Sequence, residues 1–195
     1  MNLIVKKESI ITTSVSTANY LEEHFKKKTK IYVVGSNSLK KIIFDKGFVE
    51  DSKKASVVVA GLDQKFTYEK LSTASKLVRM GAKLIGTNPD KLYPTDKGFN
   101  PGAGSIIEFI KSASNKPNSI IIGKPNSYFV DTAIKFLNLR KKNIILIGDQ
   151  LETDILAANN AKISSVLVTT GVKNQNKTIK SSIIVKSLMD LPISK

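Results

Sequence analysis

The chain of 195 residues has no cysteine, one histidine and few arginines, and each scarcity removes a class of chemistry. Without cysteine there are no disulfides and no thiolate-ligated zinc. His24 alone leaves little basis for a histidine-rich metal centre or a serine triad, and its lysine-flanked setting, EEHFKKK, reads as a surface helix. Arg79 and Arg140 are the only arginines, so the formal charge of +15 rests on lysine. Those lysines are scattered through every predicted helix and loop, with no arginine fork to read bases and no basic stretch interleaved with aromatics. A solvated, lysine-biased surface is therefore expected and a nucleic-acid partner is not, although clustered cations would bind phosphate backbones. The opening MNLIVKKES has too short an apolar run for a signal peptide, and no stretch approaches a membrane span. A cytoplasmic protein with no membrane partner is expected.

What is present is a hydrophobic fraction of 41%, enough for one large or two small domains. Apolar runs rich in β-branched residues (KIYVVG, SVVVAG, AKLIGTN, SIIIGK, NIILIGD, SVLVTTG) alternate with amphipathic stretches. Continuous apolar strands between helices predict an α/β fold with a parallel sheet covered on both faces. In TYEKLSTASKLVRMG, Leu71, Ala74, Ser75 and Val78 share one helical face, and Gly81 ends the helix. In SYFVDTAIKFLNL, Val130, Ala133, Ile134 and Leu137 do the same. The polar segment KSASNKPNS, residues 111–119, is the best boundary, dividing the chain into 1–116 and 117–195. The stretch KNQNKTIKSS reads as a charged loop before a last short strand at SIIV.

Ligands of open α/β sheets bind at the carboxyl ends of strands. Three predicted strand ends are polar: SIIIGKP stops on Lys124, NIILIGD on Asp149, and AKLIGTNPD on Thr87, Asn88 and Asp90. A lysine and a carboxylate at the ends of neighbouring strands suit a magnesium-phosphate pair, because oxygen ligands hold the cation and ammonium neutralises the phosphate. Equally, Lys124 and Asp149 form a loop salt bridge and Asp154 caps the helix ILAANNAK. NPGAGSI, residues 100–106, fits either a phosphate cradle or a tight turn with a serine cap, and it lacks the lysine of a P-loop. Asp63 also ends a strand, but position 65, where a phosphatase would carry its second acid, is lysine.

Four ordered segments, VVVAGLDQKFTYEKL, GAKLIGTNPDKLYPTDKGFNPGAGSI, IIGKPNSYFVDTA and LIGDQLETDILAANNAK, resemble consecutive signatures of the haloacid dehalogenase superfamily. The resemblance is to its NagD-like branch, which includes 4-nitrophenyl, phosphoglycolate and pyridoxal phosphate phosphatases. It implies a Rossmann-like core, here only the C-terminal half, preceded by an α/β cap domain that sets substrate specificity. By the resemblance, Lys124 holds nucleophile and phosphate, Asp149 binds Mg2+, and Asp154 supports the metal site. Asn88, Asp90, and Gly102, Gly104 and Ser105 of the PGAGS loop would face a small phosphorylated metabolite.

The family begins with a strand ending in an aspartate pair, whose first member forms an aspartyl-phosphate, and a following strand ends in a Thr/Ser-Asn phosphate-binding segment. Neither has a counterpart, since the first aspartate is Asp45, in a predicted helix. Several dozen residues of the family pattern are thus expected to be lacking. The implied protein is a phosphatase inactive alone, or a non-catalytic remnant or subunit that binds phosphorylated ligands or a partner. Loss of the nucleophile strand would bare an apolar edge beside the strand ending at Asp149, favouring association with a chain that supplies the missing strands. A homodimer through the cap is the other expected assembly.

Overall fold

The computed structural model describes residues 9–170 and 178–191. The opening MNLIVKKE, on which the signal-peptide reading rests, and the first half of the KNQNKTIKSS loop, residues 173–177, lie outside the described residues. The chain forms two compact units, Met1–Gly123 and Lys124–Lys195.

The first unit is built on five parallel strands, β1 (Lys30–Val34), β2 (Val49–Glu50), β3 (Val57–Ala60), β4 (Lys83–Gly86) and a fifth, Ile120–Ile121, in the order β2-β1-β3-β4-fifth. All four residues of β3 are buried, as a central parallel strand covered on both faces requires. On one face, Val34, Val58, Ala60 and Leu84 pack with α3 (Tyr68–Arg79) and α4 (Ala103–Ser114), through Leu71, Ala74, Leu77, Val78, Ile106 and Ile110. The alternate residues Ile31, Val33, Val57 and Val59 are as fully buried, so the opposite face is covered too. α1 (Thr13–His24) and α2 (Asn37–Phe44) pack on each other and bury Ala18, Leu21, Leu39 and Ile43. His24 ends α1 at the surface, with its ring stacked on Tyr20 at 4.0 Å.

The face predicted for α3 is the buried one: Leu71, Ala74, Ser75 and Val78 are all buried. Thr67 caps its start by accepting from Lys70 N at 3.2 Å. Gly81, at φ +108°, follows its C-terminal residue Met80 in the left-handed region.

An antiparallel hairpin, β5 (Leu92–Thr95) and β6 (Gly98–Pro101), lies between β4 and α4. The fifth strand, β7 (Ile120–Ile121), pairs in parallel with β4 and belongs to the first sheet. The strand leading to Lys124 therefore belongs to a different sheet from the strand leading to Asp149 and does not pair with it, where the sequence suggests neighbouring strands. Both are apolar parallel strands, and nothing in their residues distinguishes one sheet from the other.

The second unit has three parallel strands, β8 (Ile145–Gly148), β9 (Ser164–Val168) and β10 (Ile183–Val185), in the order β10-β9-β8. α5 (Ser127–Leu137) and α6 (Leu156–Ala161) bring Val130, Ala157, Ala158 and Ala161 against Ile163, Ile144 and Leu146. Of the apolar face predicted for α5, Val130 is buried, Ala133 and Ile134 are half-buried, and Leu137 is 49% exposed. The helix outruns the small cluster it packs on. Among the described residues, no helix is long and apolar enough to cross a membrane.

Candidate functional site

β8 delivers its chain to Gly148 and Asp149, and the next five residues, Leu151–Ile155, form a single π-helical turn before α6. Asp154 N and Ile155 N both donate to Gln150 O, at 3.0 and 3.2 Å. Such wide turns are uncommon and recur at functional sites. Here the turn swings the Asp154 side chain back over the strand end. Its Oδ2 accepts from the backbone N–H groups of Asp149 and Gln150, both at 3.2 Å. Its Oδ1 accepts from Lys124 Nζ at 2.5 Å. A Cβ on residue 148 would lie 2.3 Å from that of Asp154, so only glycine lets the carboxylate close on the loop. The motif IGD followed five residues later by Asp is thus one piece of geometry.

Burial and charge follow from that arrangement. The Asp154 side chain is 9% exposed, so its charge needs the Lys124 ammonium and the two amides to offset desolvation. Lys124 remains 37% exposed, an ammonium fixed at its tip yet open to solvent. The helix-capping alternative for Asp154 does not hold, because α6 begins after Ile155 with no side-chain cap. Lys124, which the sequence offers as a partner for Asp149, bonds Asp154, because the turn carries Asp154 back to it.

Asp149 is half-buried at the strand end. Its carboxylate is a hard oxygen donor suited to Mg2+ or Ca2+. Asp154 is not equivalent, since both its oxygens are already engaged by the loop and Lys124. Among the described residues, no group of three or more His, Asp or Glu would hold a metal ion. The donor type fits a hard cation, for which Asp149 could supply one ligand, while Asp154 ties the loop to Lys124.

In the first unit, the predicted substrate-binding residues come together. Gly104 N donates to Asp90 O at 2.8 Å, Gly102 N to Lys91 O at 2.7 Å, and Ser105 Oγ to Lys91 O at 2.7 Å. Asn88 Oδ1 accepts from Thr13 Oγ1 at 2.9 Å. The PGAGS loop is therefore clamped on the NPDK segment, and the amides of Gly102 and Gly104 serve that clamp rather than an open anion cradle. Both glycines admit a backbone approach that a Cβ would block, at 2.3 Å from Asp90 O and 2.1 Å from Pro89 O. Asp63, the other strand-end acid, is 5% exposed and locked by Lys65 N and Lys70 Nζ, both at 2.9 Å. The hairpin and the ring of Tyr93, whose hydroxyl accepts from Gln64 Nε2 at 2.7 Å, went unread in the sequence. Their one local signal is the DKG turn between LYPT and FNP.

The HAD-hydrolase-like family model matches residues 121–191, the stretch that contains Lys124, Asp149 and Asp154. An acid sugar phosphatase of Staphylococcus haemolyticus is 37% identical over 88% of this chain, and the chain spans 65% of that relative's length. The crystal structure of a single mutant of thermostable NPPase from Geobacillus stearothermophilus superposes with a TM-score of 0.93 at 37% identity, covering 97% of this chain and 76% of that one. A glycerol phosphate phosphatase of Mycobacterium tuberculosis, solved in complex with calcium, gives 0.82 at 27% identity over 88% of this chain and 51% of its own. With this fold and these strand-end residues, the chain belongs to the haloacid dehalogenase-like hydrolases, in their NagD-like branch of phosphomonoester phosphatases.

Proposed function

We propose that this chain provides the cap and the phosphate- and metal-holding side of a cytoplasmic, magnesium-dependent phosphatase acting on small phosphomonoesters. The observation that carries the reading is the array at the end of β8, in which one buried carboxylate, Asp154, ties the Lys124 ammonium to the Asp149 loop. Lys124 would neutralise the phosphate dianion, and Asp149 would hold the cation. Bound magnesium supplies Lewis-acid neutralisation of charge building on the phosphoryl oxygens. Asp154 acts through the other two, as a positioning residue. Substrate choice is assigned to the cap, with Asn88, Asp90 and Ser105 on its clamped loop. The names of the relatives, acid sugar phosphatase among them, support a sugar phosphate as the first substrate to try.

An aspartyl-phosphate route needs a carboxylate free to attack phosphorus. Asp63 and Asp154 are both locked, and Asp149 is assigned to the cation. We assign the nucleophile to polypeptide pairing with the edge of β8, which has no partner beyond β9 among the described residues and where Ile145 and Ile147 are 47% and 42% exposed. The same edge favours the second reading, a non-catalytic subunit that binds phosphorylated ligands and a partner chain.

The deciding experiment is hydrolysis of p-nitrophenyl phosphate and sugar phosphates by the protein as its own cell makes it, with and without magnesium. Asp149→Ala should lower turnover on the order of 10²–10³-fold, as removal of one group stabilising transition-state charge does elsewhere. Retained activity overturns the assignment. No turnover in excess magnesium, with ligand binding intact, selects the subunit reading.

A further inference from the structure

The first sheet has a topological switch point. From β1 the chain passes through α2 to β2 on one side, then crosses back to β3 and continues outward through α3 to β4 on the other. The segments leaving β1 and β3 therefore diverge, and the crevice outside those carboxyl ends is where open α/β sheets bind ligands. A cavity of about 440 Å³ lies there.

Its lining is mixed, with Gly35 and Leu62 beside polar groups, the Asp63 carboxylate and three lysines. The segment after β1 brings Ser36 and Asn37, α2 brings Lys40, the segment after β3 brings Gln64 and Lys65, and α3 brings Lys70. Lys70 is held by the buried Asp63 carboxylate at 2.9 Å and by Lys65 O at 2.9 Å, which pins its ammonium at the wall. Lys40 pairs with Glu50 at 2.8 Å, while Lys65 makes no ion pair among the described residues. The crevice thus keeps a positive excess, with hydroxyl and amide groups beside it. An anion with hydroxyls matches both features, since ammonium groups neutralise phosphate and the amides bond the hydroxyls.

We propose that this crevice is a binding site for a small phosphorylated, hydroxyl-bearing metabolite, built entirely from the first unit and independent of the Lys124–Asp149 strand end. Its test is equilibrium binding without metal, using glucose 6-phosphate as the probe and glucose as control. The intact protein should bind glucose 6-phosphate saturably and much more tightly than glucose. Lys124→Ala serves as the background that removes the strand-end ammonium: glucose 6-phosphate should still bind it saturably, and adding Lys40→Gln with Lys65→Glu to that background should weaken the remaining binding at least tenfold. Lys65→Glu alone, at an exposed residue without an ion-pair partner, serves if the double variant does not fold and should weaken binding severalfold. Absence of binding, equal affinity for glucose, loss with Lys124→Ala, or indifference to the Lys65 change each overturns the proposal. Failure of the phosphatase reading would leave these results unaffected, because no turnover is measured.

Discussion

Asp154 shows how much one side chain organises. A buried carboxylate without partners costs several kcal/mol, so its three donors and the Gly148 gap must be present together. Asp51 shows the same chemistry at the surface, where Lys30 Nζ at 2.8 Å and the N–H groups of Lys54 and Lys53 at 2.7 Å hold its carboxyl well below the usual carboxylate range. A depressed folded-state pKa adds stability above the unfolded value, roughly 3.9, and that stability is lost as the pH falls through the folded value. Asp51→Asn should therefore lower the melting temperature at pH 7, and the gap from the native protein should close as the pH drops below about 4. A gap that stays constant with pH would show that Asp51 acts through shape, not charge.

At the scale of elements, the clamp between the NPDK segment and the start of α4 depends on backbone contact. The Cβ of an alanine at 104 would meet Pro89 O at 2.1 Å, and two backbones cannot separate as a flexible side chain does. Gly104→Ala should destabilise the protein by about 1–3 kcal/mol in urea unfolding, in the range for overpacked sites. A change below about 0.5 kcal/mol would mean that the loop opens without strain. The signals that predict α3 work because its face is buried against a complete sheet. For α5 the same periodicity overstates burial, since Ala133 and Ile134 are only half-buried and Leu137 remains 49% exposed beside three strands.

At the scale of the whole chain, among the described residues the second sheet ends on β8, with Ile145 and Ile147 exposed, and on β10, with Ile183 and Ile184 exposed at 48% and 65%. Apolar edges with unpaired backbone recruit further strands. The isolated chain should associate at micromolar concentration in sizing experiments, and Ile147→Lys should shift it towards monomer. A monodisperse monomer before any substitution would show that the edge is not adhesive. The formal charge of +15 opposes association through self-repulsion, so added salt should promote it.

Alternating apolar runs and helical faces determined the α/β class, the buried stripe of α3 and the polar strand ends, because burial periodicity is written locally in the chain. Lys124 and Asp149 stand out for the same reason, each just past an apolar run, whereas the site role expected of Asp154 came from the family resemblance. Which partner each would find was not legible. Lys124 follows a strand of the first sheet and bonds an acid thirty positions away, and Asp154 leaves its expected cap because a π turn directs it backwards. The glycines of PGAGS read equally as a cradle and as a turn until Asp90 and Lys91 occupied their amides. Strand order and the cationic crevice at its switch point arise from pairings between distant segments, and periodicity along the chain carries no record of which strands are neighbours.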